Sequence, residues 1–121
     1  AKFYGFKNQE FVEEKMKTSS IIVIPSIWEE PFGLVAAEAM SNGISIIASK
    51  VGGMPEIIGD NGVLIENINY KKLRKNLVEL LRNNSLRKSY QQKAWKNFKL
   101  SSALSSKKLD DYRRIIFQNY Y

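Results

Sequence analysis

The chain has 121 residues, 44% of them apolar, with no cysteine and no histidine. That suits one globular domain burying roughly two-thirds of its unfolded surface, and it disfavours disorder and a multidomain chain. The missing residue types exclude disulfide scaffolds, thiol nucleophiles, Cys/His zinc sites and Ser-His-Asp triads within the chain, and the net charge of +7 is unevenly spread.

Residues 1–70 hold five Lys/Arg against nine Asp/Glu, and residues 71–121 hold fourteen against three. The acidic first part alternates short apolar runs with helical patterns. Phe3-Tyr4-Gly5-Phe6 reads as a short strand, and Asn8 as the cap of a helix reaching about Lys17 with Phe11, Val12 and Met16 as its stripe. Ile21–Ile24 is continuous, β-branched and closed by Pro25, the pattern of a strand buried on both faces. A loop over Pro25–Phe32 leads to Gly33, which opens a helix over Leu34–Met40 that Asn42-Gly43 ends.

Ile44–Ala48 is another strand-length run, Val51-Gly52-Gly53 a glycine loop, and Met54–Ile58 a short helix with Pro55 in its first turn. Asp60-Asn61-Gly62 is a turn before the strand Val63–Ile65. Strands alternating with helices at this spacing predict an α/β fold, a Rossmann-like parallel sheet flanked by helices. The basic second part is a helical C-terminal segment. It comprises one helix with Tyr70, Leu73, Leu77, Leu80 and Leu81 as its stripe, another from Leu86 to about Phe98, and a third from Leu104 to Phe117.

No repeat, low-complexity tract or linker divides the chain, so residues 1–121 read as a single domain. Open parallel sheets have about five or six strands and this pattern supplies four, so an N-terminally truncated domain is expected. No apolar run approaches the ~18 residues of a membrane-spanning helix, and no signal-peptide core lies near Ala1. The expected location is cytoplasmic, with the basic segment offering peripheral attachment to the inner face of a membrane.

The informative stretch is Pro25–Met40. A helix opening at Gly33 directs the unpaired N–H groups of Gly33, Leu34 and Val35 at whatever lies beyond a parallel strand, where α/β sheets hold phosphate-bearing ligands. Glu38 stands in a helix otherwise apolar on every face, where an ionised carboxylate needs a partner, and sugar or ribose hydroxyls would serve. Glu30, eight residues earlier, lies on the approach to the same terminus. The structural alternative pairs Glu38 with a lysine of a neighbouring helix and leaves Glu30 a solvated loop charge.

The run Glu30-Pro31-Phe32-Gly33-Leu34-Val35-Ala36-Ala37-Glu38-Ala39-Met40 resembles the E-x7-E signature of the GT-B glycosyltransferases of family 4, the group 1 glycosyltransferases. Around it, Phe3–Phe6, Ile24-Pro25-Ser26, Gly43 with Ile46–Ala48, Gly52-Gly53-Met54-Pro55-Glu56 and Asn61–Ile65 resemble further family elements in the family's order. The resemblance implies the donor-binding, C-terminal half of a two-domain GT-B enzyme, with the acceptor-binding domain and the Arg/Lys diphosphate grip outside the chain, so that the chain alone is expected to be inactive. It implies a nucleotide-diphosphate sugar as donor, no permanently bound cofactor, no metal, retention of configuration, and a glycan or lipid-linked acceptor such as those of lipopolysaccharide or other surface polysaccharide synthesis. It assigns Glu30 to the donor sugar's hydroxyls and the catalytic centre, Glu38 to the ribose, and the backbone of Phe32, Gly33, Leu34 and Val35 to sugar and diphosphate.

Gly52 and Gly53 allow close backbone approach to the donor, though paired glycines also serve any tight strand-to-helix turn. Glu56 and Trp28 carry weaker signals of the same kind, each with an ordinary structural explanation. Sugar-nucleotide epimerases and glycan phosphorylases share the architecture, but the E-x7-E context favours transfer. An alternative of another class is a non-catalytic basic domain docking on anionic membrane or polymer. Nucleic acid is not expected, because Tyr70, Tyr90, Trp95, Phe98 and Tyr112 fall at helical core spacing and form no stacking platform.

Overall fold

In the computed structural model, residues 1–29 and 33–98 are described. Helix α1 spans Gln9–Thr18, where the Asn8 side chain accepts a hydrogen bond from the Phe11 amide at 3.1 Å, as an N-cap should. Its end is closed by the hydroxyls of Thr18 and Ser19, which donate to the Lys15 carbonyl at 3.1 and 2.7 Å. Only Met16 of the expected stripe is buried.

Strands β1 (Ile21–Ile24), β2 (Ser45–Ser49) and β3 (Val63–Ile65) form a parallel sheet in the order β1-β2-β3. Ile21 is in register with Ser45, Ile24 with Ala48, and Ser49 with Ile65. All five residues of the central strand are buried, as a parallel strand covered on both faces requires. β1 is only half-buried, fully so at Ile24 alone, because among the described residues it pairs with β2 on one side only.

The expected strand at Phe3–Phe6 is absent. A strand exists only against a hydrogen-bonding neighbour, and this segment has none among the described residues. Gly5 turns it with φ of +65°, and Phe3 is 95% exposed. Tyr4 instead lies against Phe11 with ring centroids 5.1 Å apart, and the Lys15 ammonium stands 5.4 Å from each ring. The described sheet therefore has three strands, not four.

Alternation along β2 divides the core. Ile46 and Ala48 face α2 (Leu34–Ser41) and α3 (Met54–Ile58), packing with Ala36, Ala39, Met54 and Ile58. Ile47 faces the other way with Ile65 and Leu80, joined by Leu73 and Leu77 of α4 (Tyr70–Arg82). Asn69 caps α4 by accepting from the Lys72 amide at 3.0 Å. The α4 stripe is narrower than the periodicity suggests: Tyr70 is 74% exposed and Leu81 also faces solvent.

Residues 84–98 form a further helix, α5, whose start is capped by Asn83 through the Leu86 amide at 2.9 Å. Leu86 and Tyr90 join the α4-side cluster, while Ala94 and Phe98 join the α2-side cluster. α5 thus crosses beneath the N-terminal ends of the strands, where the Ser45 hydroxyl donates to the Arg87 carbonyl at 2.8 Å and Gln91 to the Ser20 carbonyl at 3.4 Å. The third expected helix, Leu104–Phe117, lies outside the described residues. Among the described residues, no helix is long and apolar enough to cross a membrane.

Candidate functional site

A parallel sheet directs its three strand-to-helix loops to one edge, and open α/β sheets bind ligands at that edge. After β1 the chain passes Pro25 into a loop whose Ile27 and Trp28 are exposed, the tryptophan at 76%. Trp28 is therefore not packed against the sheet. Glu30 and Phe32 lie outside the described residues.

Gly33 is the N-cap of α2 and is left-handed, with φ 53° and ψ 37°. Two constraints select glycine here. A side chain at that φ is strained, and a Cβ would stand 3.1 Å from Ile57 Cδ1 and 3.4 Å from Met54 Sδ. It would also lie 3.8 Å from the Gly53 carbonyl carbon, so the fold brings the Gly33 turn and the Gly52-Gly53 loop together. Gly52 is likewise left-handed at φ +53°, whereas Gly53 at φ −78° needs no glycine for its conformation.

No side chain caps α2 at Gly33, and the amides of its first turn have no acceptor within the helix. Leu34, 67% exposed, and Val35 border this terminus. Glu38 stands one turn on, above Leu34 at a spacing of four, and it is exposed. That corrects the expectation of a carboxylate enclosed by apolar side chains: α2 buries Ala36, Ala39 and Met40 on one side and turns Glu38 to solvent, so desolvation demands no partner for it. Nor does the structural alternative appear, since among the described residues the Glu38 carboxylate makes no ion pair. Glu56 is exposed in the first turn of α3.

The loops after β2 and β3 add groups the sequence did not single out. Lys50 Nζ bonds Glu66 Oε1 at 2.6 Å, and Lys72 Nζ donates to the Glu66 carbonyl at 2.7 Å. The Lys50 hydrogen bond and charge, with Lys72 further off, hold the Glu66 carboxyl below the usual glutamate range. A crevice of about 350 Å³ opens between the three loops, with Ser26 and Ile27 on one wall, Ser49–Val51 on its floor and Ile65–Ile68 opposite. Ser49 is 1% exposed and, among the described residues, its hydroxyl has no hydrogen-bond partner. The legible signal was a serine closing an apolar strand at its C-terminal end.

Two residues of the basic second part make structural hydrogen bonds. Lys72 ties down the β3–α4 loop, and Arg87 donates from Nη1 to the Leu80 carbonyl at 2.9 Å and from Nη2 to Asn84 Oδ1 at 2.8 Å.

Three layers, parallel strands and loops converging at their carboxyl ends define a Rossmann-like α/β domain. The chain belongs to the glycosyl transferases group 1 family, whose model matches residues 1–97. It is 40% identical over 87 residues to an uncharacterized glycosyltransferase of Methanocaldococcus jannaschii, covering 70% of this chain and 24% of that protein. Among solved structures it resembles sucrose-phosphate synthase from Thermosynechococcus elongatus, with TM-score 0.77 and 24% identity over 97% of this chain and 30% of that one. It also resembles the C-terminal domain of a glycosyl transferase group 1 family protein from Francisella tularensis, with TM-score 0.65 and 31% identity over 79% of this chain and 49% of that one. The fold is that of a GT-B C-terminal domain, and the chain spans about a quarter of the length of the Methanocaldococcus jannaschii relative.

Proposed function

We propose that this chain is the donor-binding part of a retaining glycosyltransferase, which moves a sugar from a nucleotide diphosphate to a glycan or lipid-linked acceptor in surface polysaccharide synthesis. The carrying observation is the family match together with the left-handed Gly33 terminus, which exposes the first-turn amides of α2 one helical turn from a free carboxylate. Those amides and the positive end of the helix suit a diphosphate, and they suit its leaving-group charge better still as the glycosidic bond breaks. Glu38 accepts from the two ribose hydroxyls, Glu30 from the donor sugar, and Gly52 and Gly53 leave room beside them. The acceptor side and the remaining cations for the diphosphate come from residues outside this chain.

Ligand-observed NMR with UDP, GDP, ADP and their sugars tests the reading. Glu38 is exposed and its side chain unpaired among the described residues, so Glu38→Ala changes stability within about 0.5 kcal/mol. Nucleotide affinity falls about ten- to a hundredfold, the worth of hydrogen bonds to a charged acceptor. Equal affinity in wild type and variant removes Glu38 from the site.

A further inference from the structure

Helix α4 is more basic than its place in the core requires. It carries Lys71, Lys72, Arg74, Lys75 and Arg82 against a single acid, Glu79. Leu73, Leu77 and Leu80 hold it on the sheet, so its other side meets solvent. With about 100° between successive residues, Tyr70, Leu81, Arg74, Lys71, Arg82 and Lys75 follow one another, in that order, around an arc of about 140°. Tyr70 and Leu81 border the buried stripe, and Lys71, Arg82 and Lys75 stand furthest from the sheet. All six are exposed, Tyr70 at 74% and Leu81 at 59%. Glu79 lies beyond the arc, and Lys72 is taken up by the Glu66 carbonyl. Among the described residues none of the four cations on the arc makes an ion pair. Lys71 Nζ lies 5.9 Å from the centroid of the Tyr70 ring, so aromatic surface and charge share one end of the helix.

From this juxtaposition, an unpaired cation stripe bordered by an exposed tyrosine and leucine, we infer that the outer face of α4 docks on the surface of an anionic lipid bilayer. The spread of the charges favours a surface over a small ligand. Lys71 and Arg82 are eleven residues apart, about 16 Å along the helix, and converge on no single phosphate. An anionic leaflet offers charge over that whole length and attracts each Lys or Arg brought near it. Tyrosine suits the headgroup level, and Leu81 gains apolar contact just beneath. A nucleic acid would satisfy the cations but give Leu81 nothing, and the arc offers it only one ring for stacking.

The inference goes beyond the donor reading and does not rest on it, since α4 and α2 pack on opposite faces of the sheet. The test is co-sedimentation of the 121-residue chain with large vesicles of phosphatidylcholine, alone or with about one-third phosphatidylglycerol. Wild type binds the anionic vesicles and not the neutral ones. Its affinity falls at least about tenfold as salt rises from about 0.1 to about 1 M, where the screening length shrinks from about 10 to about 3 Å. Lys71→Gln with Lys75→Gln weakens binding about 25-fold, the product of a fivefold loss per cation. Lys7→Gln with Lys17→Gln removes as much charge beside α1, which packs in the α2-side layer through Met16, and leaves binding within about twofold. Leu81→Ser weakens binding about three- to tenfold with unaltered salt dependence.

Every substituted side chain is exposed, so thermal midpoints match wild type and a loss of binding reports the surface. Equal losses in the two double variants would mean attraction to net charge and overturn the inference, as would neutral and anionic vesicles bound alike. No binding to anionic vesicles overturns it too, and binding of a single-stranded oligonucleotide in their place would assign the face to nucleic acid. Nucleotide titration of the same samples reads the donor site separately. Bound vesicles without nucleotide binding would refute the donor reading alone, and the reverse would refute this one alone.

Discussion

Replacing Gly33 separates the two constraints that the fold places on it. Alanine at φ 53° takes on the left-handed penalty of about 1–2 kcal/mol, and its Cβ meets the terminal methyl of Ile57 at 3.1 Å, a contact that a small rotation of that side chain relieves. The backbone term therefore dominates. Asparagine presents the same Cβ but tolerates the left-handed region far better, because its short polar side chain hydrogen-bonds locally. Urea denaturation with a slope of about 2 kcal/mol/M should show the midpoint of Gly33→Ala lower by about 0.5–1 M, with Gly33→Asn falling clearly less. An asparagine variant as damaged as the alanine one would mean that space, not backbone conformation, selects glycine.

Gly62 offers the converse case. Its φ of −163° is extended and unstrained, but a Cβ would stand 2.9 Å from the Ile46 carbonyl oxygen and 3.0 Å from Ile58 Cγ2. Gly62→Ala should cost about 1–3 kcal/mol by overpacking β3 against β2, read as a lower denaturation midpoint. The Glu66 carboxyl should titrate below the ordinary glutamate range in a carboxyl-detected NMR titration, and Lys50→Met should raise its midpoint. Because the folded carboxyl binds its proton less readily than the unfolded one, the pair contributes stability above the unfolded pKa and loses it as acid protonates the folded group. A Glu66 midpoint indifferent to Lys50→Met would remove the pair from the account.

The elements that the sequence displayed most clearly were those whose burial follows from local pattern. The strand-length run at Ile44–Ala48 proves buried as β2, and Asn8 caps α1 as its position suggests, whereas the Asn69 cap of α4 was not read from the pattern. Phe3–Phe6 misled because aromatic residues favour strands only when a neighbouring strand receives them, which is a property of the fold and not of four residues. Tyr70 and Leu81 misled similarly, since a stripe's width depends on what lies opposite. At the site, the Gly33 turn was legible from Gly-then-helix, but its convergence with Gly53 was not, because those residues lie far apart in the chain. Glu38 was legible as a functional candidate for an incorrect reason. Helical counting marked its neighbours as apolar but could not show that Leu34 and Val35 beside it also face solvent. Ser49 escaped notice because the burial of its hydroxyl at the end of β2 comes from packing and not from the local pattern.

The helix over residues 84–98 has a consequence for cooperativity. It contributes Leu86 and Tyr90 to the core on one side of the sheet and Ala94 and Phe98 to the core on the other. A small sheet with separate hydrophobic clusters would ordinarily invite stepwise melting, one layer fraying while its opposite persists. Here neither layer can open without withdrawing the same helix from both, so the two clusters behave as a single foldon.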